Sequence, residues 1–203
     1  MKVICIGRNY AEHAEEFGNK VPEKPIFFYK PDTAIITRNR PFFYPDFSGD
    51  IQYETEIVIR ISRLGKHIEQ RFAHRYYNEF TIGIDLTARD LQKKCKQNGH
   101  PWEIAKGFDG SAPLGKFVNK TDFPDIYNLN FSLTKNDDVV QKGNTKDLIF
   151  NFEQLISYIS QFITLKIGDL IFTGTPAGVG PVNINDRLIG AIEDQTLIDF
   201  RIK

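Results

Sequence analysis

The stretch IQYETEI, residues 51–57, sets two glutamates two positions apart inside a run that otherwise reads as a β-strand. Side chains at i and i+2 of a strand leave the same face, with α-carbons about 7 Å apart. Continued to Ile61, the alternation puts Tyr53, Thr55, Ile57, Ile59 and Ile61 on one face and Glu54, Glu56, Val58 and Arg60 on the other. The isoleucines mark the first face as core. Two neighbouring like charges with no lysine or arginine between them leave two readings of the second face: it meets water, or it meets something cationic. A hard ion such as Mg²⁺ or Mn²⁺ suits the latter, but needs a third anionic oxygen from elsewhere in the chain.

Outward from this strand, strand-like runs outnumber helical ones. Alternation and short apolar runs predict strands near 2–6, 54–61, 79–84, 127–134, 169–173, 187–192 and 196–202. Three stretches carry helix signals. Asn9 reads as an N-cap with Glu12 three on and Gly18 as the stop; Thr87 reads as an N-cap with Asp90 as the capping acid and Gly99 as the end. Asn151 with Gln154 opens the third, which carries Leu155, Ile156, Ile159 and Phe162 at helical spacing. The segment 17–50, rich in Pro, Phe and Tyr, reads as extended, looped chain. No repeat, low-complexity tract or linker divides the sequence. The expectation is one β-rich α+β domain over 1–203, with an N-terminal helical lid at 8–20.

Composition narrows the function classes. Lysine plus arginine and aspartate plus glutamate both number 26, and this zero balance argues against a nucleic-acid partner. No window approaches the ~18 consecutive apolar residues of a membrane span. The opening MKVICIGRNY reaches a charged turn too soon for a signal peptide and reads as the first strand. Cys5 and Cys95 lack CxxC spacing and read as reduced thiols of a cytoplasmic protein, so the sequons at Asn119 and Asn130 carry no meaning.

Several residues are candidates for chemistry. Asp85, in TIGIDLTARD, follows an apolar run and precedes a helix start, so it either ends a strand or presents a carboxylate on a rigid frame. His13 and Glu16 lie three apart on a helix, which suits a carboxylate-oriented general base and equally a solvated pair. Lys106, in EIAKGFDG, is an ordinary surface lysine unless a metal stands beside it, where its charge would stabilise an enolate oxygen. The run TGTPAGVGPV, 173–182, is neither a Walker loop nor a dinucleotide fingerprint, yet its backbone N–H groups could meet a carboxylate. His67, His74 and His100 lack such arrangements and read as surface or structural residues.

The order of these signals carries more than any one of them. CIGRNYAEHAEE, YETEIVIRI, GIDLTARDLQ, AKGFDGSAPLG and GDLIFTGTPAGVGPV together resemble the fumarylacetoacetate hydrolase family over nearly the whole chain, in particular its short single-domain acylpyruvate hydrolases and oxaloacetate decarboxylases. The resemblance implies a mixed β-barrel-like roll with a few peripheral helices, usually assembled as a homodimer. It implies one Mg²⁺ or Mn²⁺ on Glu54, Glu56 and Asp85, an active-site lysine at Lys106, and a lid carrying His13 and Glu16. Thr175 matches a substrate-contacting threonine, Arg89 and Gln92 match polar residues near the site, and Lys30 in YKPD matches a lysine of the same rim.

The implied activity is C–C bond cleavage of acylpyruvates or oxaloacetate through a metal-stabilised pyruvate enolate. His13, assisted by Glu16, would activate water for the hydrolysis. An alternative within the family is isomerisation or decarboxylation of a 2-hydroxy-dienedioate from aromatic catabolism, with the aromatic segment 41–47 lining the far end of the pocket. An alternative of another class is a non-catalytic metal/carboxylate-binding protein. One departure stands out: Asp50-Ile51-Gln52-Tyr53 occupies a stretch where the short members often carry histidines.

Overall fold

The strand predicted around the two glutamates forms over Thr55–Ile61, and a separate short strand, Ile51–Tyr53, precedes it. The structure, a computed structural model, describes residues 1–16, 18 and 20–203; positions 17 and 19 of the expected lid segment lie outside the described residues. Thr55–Ile61 is interior to a six-stranded sheet, between Leu170–Phe172 and Tyr77–Ile84, antiparallel to both. Its residues are buried except Arg60, whose side chain is partly exposed. Ile57, Ile59 and Ile61 join the main core, while Val58 packs in a second cluster with Val3, Cys5 and Phe172. The water-facing reading of the glutamate face is therefore wrong: Glu54 is 6% exposed and Glu56 1%.

The sheet is completed by Val3–Gly7, parallel to Leu170–Phe172, by Ile26–Lys30 at one edge and by Val118–Asn119 at the other. A four-stranded antiparallel sheet runs Asp138–Asn144, Asn130–Lys135, Arg187–Ile192 and Gln195–Arg201. Two small sheets remain. One joins Gly180–Pro181, Ile51–Tyr53 and Thr87–Ala88; the other pairs Ile35–Ile36 with Ala112–Pro113. This is the expected β-rich α+β architecture, but the sheets are open, and the described strands close no barrel.

Ile26–Lys30 falls in the segment read as loop, and Asp138–Asn144 was missed because DVVQKGN has no apolar alternation; pairing partners specify both strands. The one-turn helices Gln70–Ala73 and Glu103–Lys106 are too short to show a period. No helix among the described residues is long and apolar enough to cross a membrane.

The helices follow their signals unequally. Phe152–Phe162 opens on the full reciprocal cap: Gln154 N donates to Asn151 Oδ1 at 3.0 Å, and Asn151 N donates to Gln154 Oε1 at 2.8 Å. The middle helix ends at Gly99 (φ 65°) as its sequence predicts, but spans only Arg89–Asn98. Thr87 belongs to a strand, and the Asp90 carboxylate accepts instead from Ser48 Oγ (2.7 Å) and from Leu91 N in its own first turn (2.8 Å). The first helix is Ala11–Glu16. Asn9 spans the gap to other segments: its Nδ2 donates to Phe150 O (2.9 Å) and Thr173 O (2.8 Å), and its Oδ1 accepts from Phe150 N (2.8 Å). That amide fastens the start of the N-terminal helix to the glycine-rich loop, a tertiary role that local sequence cannot express.

Candidate active site

The antiparallel register that pairs Thr55 with Ile84 continues one step further, where Asp85 N donates to Glu54 O at 2.8 Å. Asp85 thus stands opposite Glu54 at the end of the strand pair, with Glu56 two residues on. One oxygen from each of the three carboxylates lies within 4.8 Å of the other two, and all three side chains are buried. Three anions this close and out of water cost several kcal/mol each unless they are compensated.

The compensation is asymmetric. Lys106 Nζ donates to Glu54 Oε2 at 2.7 Å and to Asp85 Oδ2 at 2.8 Å, and Arg89 Nη2 donates to Glu54 Oε1 at 2.6 Å. Glu56 receives one backbone N–H, from Gly174 at 2.7 Å. The electrostatics follow from this. Burial alone would raise the Glu54 pKa, but Lys106 and Arg89 hold it well below the usual carboxylate range. Glu56, without such partners, is pushed well up by burial and by the charges of Asp85 and Glu54. Burial pulls the Lys106 ammonium down, and Asp85 with Glu54 more than offsets this, so it stays charged.

Lys30 is placed differently from its expected position. It does not line the rim but lies wholly buried beneath the carboxylates, 2.7 Å from Asp85 Oδ1. Its Nζ donates to Leu86 O (3.1 Å), Ser111 O (3.0 Å) and Lys106 O. With three N–H groups committed to three carbonyls, Lys30 offers Asp85 charge without a hydrogen bond. Asp85 Oδ1 is accordingly a buried acceptor with no donor. A carboxylate oxygen that accepts no hydrogen bond, beside an under-compensated glutamate, is what a hard divalent cation would satisfy, and an all-carboxylate donor set suits Mg²⁺ or Mn²⁺. The residues present fit such an ion.

The carboxylates open into a cavity also lined by Lys106, Arg89, Gln92, Thr175 and His13. His13 Nδ1 lies 3.3 Å from Glu16 Oε2. Burial draws the imidazole pKa below its ordinary value, against the pull of Glu54 and Glu16, which favours the neutral, proton-accepting ring. Thr175 Oγ1 accepts from Gln141 Nε2 at 3.0 Å, and Gln141 Oε1 in turn accepts from Thr55 N at 3.0 Å. Gln141 comes from the unpredicted strand Asp138–Asn144, so sequence reading had no signal for it.

Gln52 resolves the departure noted above. Its Oε1 accepts from Arg89 Nε at 2.9 Å and its Nε2 donates to Asp50 at 3.0 Å, while Arg89 Nη1 donates to Gln92 Oε1 at 2.7 Å. Gln52 and Gln92 thus aim the guanidinium at Glu54. Other lining residues, among them Arg8, Phe28, Lys96 and Trp102, were not singled out from sequence. The aromatic segment is elsewhere: Pro41, Phe42, Phe43, Pro45 and Phe47 line a separate surface pocket and not the far end of this one.

Gly174 links the loop to the carboxylates. Its φ of 106° disfavours any side chain, and a Cβ there would fall 2.7 Å from Asn9 Cβ. Gly174→Ala is expected to cost about 3 kcal/mol in stability, read as a lowered urea midpoint. A change below about 0.5 kcal/mol would show that the loop relaxes freely.

The chain matches the family description "Fumarylacetoacetate (FAA) hydrolase C-terminal" over residues 2–199. It is 38% identical over 201 residues to the mouse (Mus musculus) protein named oxaloacetate tautomerase FAHD1, mitochondrial, covering 99% of this chain and 91% of the relative. It is 41% identical over 182 residues to a mitochondrial oxaloacetate decarboxylase of Dictyostelium discoideum, covering 89% and 84%. Among solved structures, fumarylpyruvate hydrolase from Pseudomonas aeruginosa in complex with Mn²⁺ and pyruvate superposes with a TM-score of 0.94 at 36% identity, covering 100% of this chain and 89% of that one. These relatives are enzymes acting on small oxo acids. By sequence match over almost its full length and by fold, the chain belongs to the fumarylacetoacetate hydrolase family.

Proposed function

We propose that this chain is a divalent-metal-dependent enzyme that acts on small 2-oxo or 1,3-diketo acids, cleaving acylpyruvates by hydrolysis or oxaloacetate by decarboxylation. The observation that carries this reading is the buried set of Glu54, Glu56 and Asp85, in which Asp85 Oδ1 accepts no hydrogen bond, braced by Lys106. A Mg²⁺ or Mn²⁺ held by these three carboxylates supplies Lewis acidity toward the carboxylate and 2-oxo oxygens of such an acid. The reactions for which the relatives are named, a tautomerisation, a decarboxylation and a hydrolysis, share one demand: negative charge gathering on the 2-oxo oxygen.

The side chains divide that work. Lys106 keeps a fixed positive charge at the cavity wall, where it stabilises the enolate oxygen as it develops. Thr175, Gln92 and Arg89 bind and orient the acid. His13, with Nδ1–H donated to Glu16, takes a proton from water at Nε2. That water attacks the distal carbonyl of an acylpyruvate, the C–C bond breaks, and the departing pyruvate enolate is protonated at C3. Decarboxylation of oxaloacetate needs no water: CO₂ leaves from C4 and the same enolate is protonated. Tautomerisation of oxaloacetate breaks no C–C bond: a proton moves between C3 and the enol oxygen through the enolate of the intact diacid, which gathers charge on the same 2-oxo oxygen.

The chain works in this reading as one catalytic domain over 1–203, with the segment 8–20 as a lid that brings His13 over the substrate. Two buried, unbridged cysteines fit a reducing cytoplasmic setting, and a homodimer is the proposed assembly.

A panel of oxaloacetate, acetylpyruvate and fumarylpyruvate on Mn²⁺-loaded protein, with a chelator control, tests the proposal. Chelator-insensitive turnover, or none with any of the three, would overturn it. His13→Gln separates the roles further. Acylpyruvate hydrolysis is expected to fall by about 10²–10⁴ while oxaloacetate decarboxylation stays within about tenfold. Equal losses would remove His13 from water activation.

A further inference from the structure

The cations around the cavity outnumber what its carboxylates require. Lys30, Lys106 and Arg89 match Glu54, Glu56 and Asp85 one for one. A divalent ion would add two positive charges, which one substrate carboxylate and a developing enolate oxygen would neutralise. Two more cations line the same cavity, Arg8 and Lys96. Among the described residues neither takes part in an ion pair.

Both are placed by the fold. Arg8 follows the strand Val3–Gly7 and has left-handed backbone (φ 60°), a conformation that a non-glycine residue adopts at a cost and that recurs at ligand sites. Its neighbour Asn9 is bonded to Phe150 and Thr173, so that strained turn is anchored. Lys96 stands on the helix Arg89–Asn98 at the i+4 position from Gln92 and i+7 from Arg89, on the helix face that lines the cavity. Its Nζ lies 5.6 Å from the Trp102 ring centroid. Burial, then the charges of Arg89 and Arg8, draw the Lys96 ammonium below its ordinary pKa, which places these cations within electrostatic reach of one another. Like charges gathered at a cavity mouth raise the free energy of the empty site and favour an anion there.

Resting on the proposed function above, we propose that Arg8 and Lys96 form a second anion subsite, which binds the distal carboxylate of a dicarboxylic 2-oxo acid and makes diacids preferred over monocarboxylic acylpyruvates.

Calorimetric titration of the Mn²⁺-loaded protein with 2-oxoglutarate and with 2-oxopentanoate tests this, because the two share a chain length and differ in the distal carboxylate. The wild type is expected to bind 2-oxoglutarate at least about tenfold more tightly. Arg8→Gln and Lys96→Gln should each reduce that ratio several-fold, and the double variant should bring it to about one. In the same proteins 2-oxopentanoate affinity should change less than about twofold. Lys93→Gln, exposed on the same helix, should leave the ratio intact. Equal affinities in the wild type, or a ratio that survives in the double variant, would overturn the subsite while leaving the 2-oxo acid reading standing. Binding of neither acid would overturn both.

Discussion

Asp85→Ala is expected to lose at least about a hundredfold in Mn²⁺ affinity, to lose turnover with it, and to destabilise the fold by about 3–5 kcal/mol. The double effect follows from its two oxygens. Oδ2 receives Lys106 Nζ at 2.8 Å, and Oδ1 lies 2.7 Å from Lys30 Nζ, so one carboxylate faces two buried ammonium groups. Without it, Glu54 is left as the counter-ion of Lys106, and Lys30 keeps only carbonyl acceptors. Asp85→Asn separates the two consequences. Its amide keeps the shape and an acceptor for Lys106, so stability should fall less while Mn²⁺ affinity still collapses. Titration calorimetry reads the first quantity and urea denaturation the second. Mn²⁺ affinity within about threefold of wild type in Asp85→Ala would remove the residue from the metal site.

Lys106→Met should behave in the opposite way toward the metal. Its ammonium is held between Glu54 and Asp85, so its removal exposes both carboxylates and should preserve or strengthen Mn²⁺ binding. Turnover at saturating Mn²⁺ should nevertheless fall by about 10²–10³, in hydrolysis and in decarboxylation alike, because both pass through the same enolate oxygen. A loss confined to one reaction, or a rate within about tenfold of wild type, would show that Lys106 serves structure alone. The contrast between these variants separates a residue that would bind the ion from one that stabilises charge on the substrate.

Both residues stood out in the sequence, though for reasons of unequal strength. The Glu54–Glu56 spacing and the strand-to-helix position of Asp85 are local patterns, and strand geometry alone puts the glutamates on one side. Whether that side was wet could not be read locally. It depended on Lys106 and Arg89 packing against Glu54 and on the Gly174 loop meeting Glu56, which turned a polar face into a buried one. The same limit explains Lys30. A lysine in YKPD looks alike whether it is a surface residue, a rim contact or a buried counter-ion. Its acceptors Leu86 O and Ser111 O lie 56 and 81 residues along the chain.

Short-range physics wrote four features into the chain: the period of Thr55–Ile61, the reciprocal cap of Asn151 and Gln154, the left-handed stop at Gly99, and the order of motifs that marks the family. The balance of charge around the carboxylates is set instead by long-range contacts. Gln52 aiming Arg89, Gln141 holding Thr175, Asn9 fastening the Gly174 loop and Lys30 set beneath Asp85 are all contacts between distant segments. Period and capping act over a few residues and leave a trace in composition. A buried charge is stabilised by whichever segments the fold brings within about 3 Å of it, and those partners can lie anywhere in the chain.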